Sequence, residues 1–93
     1  MYTEYDENQI ITIDIHNHPV SDAKQKLQIA VKIAPSETKE IVVIHGYHNG
    51  TALRDMVRND FRSKRVARKY LSLNGGTTKF ELRKIEKNNL EKK

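Results

Sequence analysis

Ile41-Val42-Val43-Ile44-His45-Gly46-Tyr47-His48-Asn49-Gly50-Thr51-Ala52-Leu53-Arg54 passes from four apolar residues, through a polar loop with two glycines, into an amphipathic segment. The apolar four offer no polar face, which marks a strand central in its sheet. In residues 52–62, Leu53, Met56, Val57 and Phe61 fall on one stripe at helical spacing. Arg54, Arg58 and Arg62 form an i, i+4, i+8 row beside it. Strand, glycine loop, helix is an arrangement in which backbone N–H groups at a helix N-terminus face an anion. Gly46, Tyr47, His48, Gly50, Thr51, Arg54, Arg58 and Arg62 are therefore the candidate phosphate-binding set. Arg54, one turn past the loop, is the first choice of phosphate ligand, and Tyr47 is suited to stack on a base. Turn glycines, helix-face arginines and an exposed loop tyrosine are the ordinary readings of the same residues.

Upstream, residues 10–16 alternate, with Ile11, Ile13 and Ile15 against Thr12, Asp14 and His16. That is a strand with one buried face, and it turns Asp14 and His16 away from the core. The cluster Asp14-Ile15-His16-Asn17-His18 follows that strand, and all four histidines of the chain lie in these two loops. Pro19 and Asp22 suit a helix start. Val20, Ala23, Leu27, Ala30, Val31 and Ala34 make its buried stripe, with Ile29 and Ile33 on the opposite face and Pro35 as the stop. Downstream, residues 66–73 and 77–82 read as strands around a turn at Asn74-Gly75-Gly76. Thr78, Phe80 and Leu82 face one way. Residues 1–9 read as a flexible acidic lead-in and residues 83–93 as a charged tail or marginal helix, which leaves the domain at 10–82.

The order is β-α-β-α-β-β. It predicts an α/β chain built as a two-layer α+β sandwich, two helices on a mixed four-stranded sheet. Two strands joined by a helix in one sheet are parallel, with their C-terminal ends at one edge, where ligands of open sheets gather. Both histidine loops leave from that edge if the first two strands are neighbours.

At 93 residues the chain makes one domain with a small core. It has no cysteine, so no disulfide or thiolate metal site, which fits a reducing cytoplasm, the expected location. The N-terminus has no apolar signal core, and no apolar run approaches the ~20 residues of a membrane span. The net charge is +5. Between Arg54 and Lys69 lie seven basic residues and two acids, Asp55 and Asp60, so that stretch carries the whole excess. Such a patch suggests nucleic acid as partner, DNA and RNA alike, with oligomeric state left open.

Breaking a phosphodiester needs a proton taken from the nucleophile, one given to the leaving oxygen, and stabilisation of extra negative charge. Histidine titrates near about pH 6.5 and can do either proton step. Asp14, His16 and His45 are the candidate catalytic group. Asp14 either orients a histidine or holds a divalent cation such as Mg2+ or Mn2+. A transition-metal reading of Asp14, His16-x-His18 and His45-x-x-His48 also stands, on less specific spacing.

Ile13-Asp14-Ile15-His16 resembles the Leu-Asp-Leu-His signature of the small MutS-related (Smr) domain family. Ile44-His45-Gly46, then Gly50 and Ala52-Leu53-Arg54, resembles that family's His-Gly-x-Gly segment and the Ala-Leu-Arg after it. Val20, Ala23 and Gly75-Gly76 also fall at family positions, so the resemblance spans residues 11–82. It implies a fold like the C-terminal domain of translation initiation factor three. It implies endonucleases nicking DNA, often branched, in repair or recombination, or cutting RNA at stalled ribosomes in ribosome quality control, with a non-catalytic binding module as the alternative. It implies roles for Asp14, His16, His45, Gly46 and Gly50. Two departures are visible: Asn17 replaces the glycine after the first histidine, and Tyr47-His48-Asn49 makes the second loop one residue longer.

Overall fold

The computed structural model describes residues 2–5, 9–46, 51–72 and 75–83. Alternating side chains make Ile10–Asp14 a strand, β2, with Ile11 and Ile13 buried and Thr12 and Asp14 half-buried. The helical stripe makes Val20–Ile33 a helix, α1, that buries Ala23, Leu27 and Val31. It stops where Ala34 donates its N–H back to the Ala30 carbonyl ahead of Pro35, while Ile29 and Ile33 stay exposed. Glu40–Ile44 is β3. The helical segment after the glycine loop leads to the hairpin of β4 (Val66–Leu71) and β5 (Thr77–Leu82). At that turn Gly75 has φ +71 and donates to the Ser72 carbonyl; Leu73 and Asn74, expected in the strand and turn, lie outside the described residues.

The four expected strands form, in the order β2-β3-β5-β4, and the α+β fold is as read. One expectation is corrected. Residues 2–5, expected within a flexible lead-in, are a fifth strand, β1 (Tyr2–Tyr5), antiparallel to β2 with Tyr2 opposite Asp14. The strand carries one acid, Glu4, and its place at the sheet edge comes from main-chain pairing with β2. Of the expected tail only Arg83 is described, and its guanidinium donates to the carbonyls of Lys64 and Val66.

β2 and β3 are adjacent and parallel, with Asp14 beside Ile44. The ladder runs one step further, Ile15 donating to the Ile44 carbonyl at 2.9 Å. Ile11, Ile13, Ile41, Val43, Phe80 and Leu82 from the sheet share one buried cluster with α1 and with Met56, Val57 and Phe61. Phe61 stacks on Phe80 with ring centroids 5.2 Å apart. β3 is central as expected, but Val42 and Ile44 on its other face are only half-buried.

The second helix differs from the uniform α-helix expected over residues 52–62. Ala52–Asp55 is α-helical (α2) and Met56–Asp60 is π-helical, closed by Phe61 donating to the Met56 carbonyl at 2.7 Å. The wider turn still puts Met56, Val57 and Phe61 in the core, but it ends the arginine row. Arg62 follows after Phe61 has turned extended. Among the described residues no helix is long and apolar enough to cross a membrane.

Candidate functional site

The first loop is a tight turn at the end of β2. His18 donates its N–H to the Ile15 carbonyl at 3.1 Å. Asn17, third in that turn, has φ +66, the sign a type II turn requires there. Asparagine tolerates this conformation better than other non-glycine residues. The departure from a family glycine thus keeps the backbone shape.

Asp14 ties the loop together. Its Oδ1 accepts the backbone N–H of His16 at 3.1 Å and stands 2.5 Å from His16 Nδ1. A carboxylate only accepts, so Nδ1 carries the proton, and in the neutral ring Nε2 is the nitrogen with the lone pair. The His16 side chain is 55% exposed and that of Asp14 25%. Burial pushes the Asp14 pKa up, but the hydrogen bonds from the His16 ring and backbone, with the His16 and His18 charges, bring it below 3.8. His18 turns its Nδ1 to the His16 carbonyl at 3.2 Å.

The second loop meets the first at Gly46. Its φ is +76, and a Cβ placed on it would lie 3.3 Å from the Cβ of His16. Only glycine suits both the conformation and that approach. The N–H groups of His45 and Gly46 both donate to the Gly76 carbonyl, at 2.9 and 3.0 Å. The Gly46 amide, expected to face a phosphate, is therefore spent on holding the strand end.

His45 is 3% exposed. Its Nδ1 lies 3.0 Å from the Gly46 carbonyl and its Nε2 2.9 Å from the Thr78 hydroxyl, so both ring nitrogens are engaged inside the protein. Burial lowers its pKa below 6.5; the bond to Gly46 opposes this, and the charges of Arg58 and Arg54 add to it. Tyr47, His48 and Gly50 lie outside the described residues. Thr51 opens α2, its carbonyl accepting from Asp55 at 2.8 Å and its hydroxyl donating to the Asp55 carboxylate at 3.1 Å.

The basic stretch divides in two. Arg58 donates from Nε to the Thr78 hydroxyl at 2.8 Å and from Nη2 to the Thr77 carbonyl at 3.2 Å. Arg65 donates to the carbonyls of Val31, Ala34 and Pro35, closing the end of α1. Lys69 donates from Nζ to the carbonyls of Val57, Arg58 and Phe61 and sits 5.9 and 5.6 Å from the centroids of Phe61 and Phe80. Burial pushes the Lys69 pKa below 10.5, with Arg62 adding to the shift and Asp60 opposing it. Arg62, Lys64 and Arg68 are exposed, and Arg54 is half-buried with its Nε 3.6 Å from an Asp55 oxygen. Sequence reasoning counted all seven as one patch because charge alone does not tell an outward arginine from one that caps a helix. It also missed Thr78. Its place among the inward residues of β5 was visible, but not the partners that make a buried hydroxyl useful.

Among the described residues no group of three or more His, Cys, Asp or Glu is arranged to hold a metal ion. The Asp14 oxygen that accepts from His16 already takes two hydrogen bonds. As placed, Asp14, His16 and His18 do not form such a group.

No protein-family model matches the chain, and no curated protein does. Among solved structures it is similar to the crystal structure of the Smr domain of Thermus thermophilus MutS2. The identity is 26% and the TM-score 0.68, over 77% of this chain and 96% of that one. That likeness runs through nearly all of the other domain. In its fold the chain is similar to an Smr domain.

Proposed function

We propose that this domain binds nucleic acid and cuts its phosphodiester backbone, with Asp14 and His16 as the proton-handling pair. The observation that carries the proposal is the 2.5 Å contact between Asp14 and His16 Nδ1, made at the strand edge where Gly46 abuts His16. His16 Nε2 takes the proton of the attacking oxygen, from water or from a ribose 2′-hydroxyl. The new P–O bond forms as the bond to the leaving oxygen breaks, and that oxygen gains a proton from the imidazolium or solvent. Asp14 holds the ring in the required tautomer and stabilises its positive form, as a carboxylate behind a catalytic histidine does. Arg54 stands one turn beyond the loop to meet the phosphate charge, and Arg62, Lys64 and Arg68 give the strand being cut a positive surface. His45 is assigned a supporting part in the same site, since both its ring nitrogens are engaged.

The test is a panel of labelled branched DNA and single-stranded RNA, each with EDTA, Mg2+ or Mn2+. The proposal expects cleavage of at least one substrate that survives EDTA. Clean protein that cuts none of them would contradict it. The engaged state of His45 and of the Gly46 amide favours a second reading, binding without turnover. That reading expects salt-sensitive binding and no product on any substrate.

A further inference from the structure

Thr78, on β5, is fully buried and lies between His45 and Arg58, with a hydrogen bond to each. A hydroxyl there is costly unless bonded. Its bonds can be assigned from chemistry alone. Arg58 Nε only donates, so the Thr78 oxygen accepts from it at 2.8 Å. The Gly46 carbonyl only accepts, so His45 Nδ1 carries the proton across their 3.0 Å contact. In the neutral ring Nε2 is then an acceptor, and the Thr78 proton is free to fill the 2.9 Å bond. Every donor from Arg58 to Gly46 meets an acceptor in one direction only. The alternative, a charged ring donating to the same oxygen, would bury a second cation near Arg58 and Arg54 and leave the Thr78 proton without this partner.

We propose that Thr78, polarised by Arg58, is a positioning residue: its hydroxyl fixes the His45 ring, and the ring fixes the Gly46 carbonyl on which the placement of His16 depends. Both main-chain groups of Gly46 are held, its N–H by the Gly76 carbonyl and its carbonyl by the His45 ring. A shift of Gly46 would be felt directly at His16, since even one added carbon would stand 3.3 Å from its Cβ. This rests on reading Asp14 and His16 as the proton-handling pair. It goes further by making the second motif histidine a structural strut set by a strand residue outside both motifs.

The experiment combines ring 15N NMR at neutral pH with kinetics. In wild-type protein the His45 ring should be neutral with its proton on Nδ1. In Thr78→Val the proton should stay on Nδ1, held by the Gly46 carbonyl, while Nε2 should lose the hydrogen-bonded 15N shift that Thr78→Ser keeps. On whichever substrate is cut, Thr78→Val should lower kcat roughly ten- to hundredfold with KM little changed, and Thr78→Ser should restore most of the rate. A wild-type ring protonated on Nε2, or charged, overturns the relay whatever the activity, and needs no variant to fold. A Thr78→Val protein with an unchanged Nε2 shift and unchanged kcat overturns it too. If wild-type protein cuts nothing but its His45 carries the Nδ1 proton and Thr78→Val moves its Nε2 shift, the cleavage reading fails and the strut stands.

Discussion

Asn17 and Gly46 both take positive φ, but the surroundings grade their tolerance differently. Asn17→Gly keeps the positive φ and should leave the turn in place, whereas Asn17→Val should cost about 1–2 kcal/mol in backbone strain. Gly46→Ala meets the same strain and the His16 contact as well. It should lose at least as much stability in urea denaturation and disturb the Asp14–His16 pair in addition. His45 sets a pH dependence. Its folded pKa lies below 6.5, so between that value and 6.5 the unfolded chain binds more protons than the folded one. Stability is therefore full above pH 6.5 and falls as pH drops through the folded pKa. Melting temperatures measured across that window should decline toward acid, and His45→Gln should flatten the decline.

At the scale of elements, side chains from the hairpin close both helical segments. Lys69 of β4 satisfies three carbonyls at the end of the π-helical segment, and Arg65, just before β4, does the same for α1. Lys69→Met keeps the aliphatic stem but removes the donors. It should lower stability by on the order of 2 kcal/mol, read as a drop in the urea midpoint with the slope unchanged. The outward cations should behave oppositely. Arg62→Ala or Arg68→Ala should leave the midpoint alone and reduce the slope of log binding constant against log salt by about 1. A variant of either kind that shifted the other quantity would undo the division of the basic stretch.

Across the whole molecule, the elements with strong periodicity were legible in the sequence: β2 from its alternating isoleucines, α1 from Ala23 to Ala34, and β3 from its apolar run. Topology then followed, because a helix between two neighbouring strands makes them parallel and brings Asp14, His16 and Gly46 to one edge. β1 was not legible, since edge pairing asks little of side chains. Nor was the π-helical turn, which keeps Met56, Val57 and Phe61 in the core, or the bonds of Arg58 to Thr77 and Thr78. The roles of His45 and Thr78 depend on a contact across 33 positions of sequence, which no local pattern carries.

The central claim is that Asp14 and His16 act as one proton-handling unit at that edge. The most direct measurement is the single-turnover cleavage rate of His16→Gln, Asp14→Asn and the double variant, on the substrate wild-type protein cuts best. The account predicts that each single change lowers the rate by roughly 10²- to 10⁴-fold, and that the double variant is little slower than the worse single. Near-wild-type rates in either single variant, or losses that multiply in the double, would contradict it.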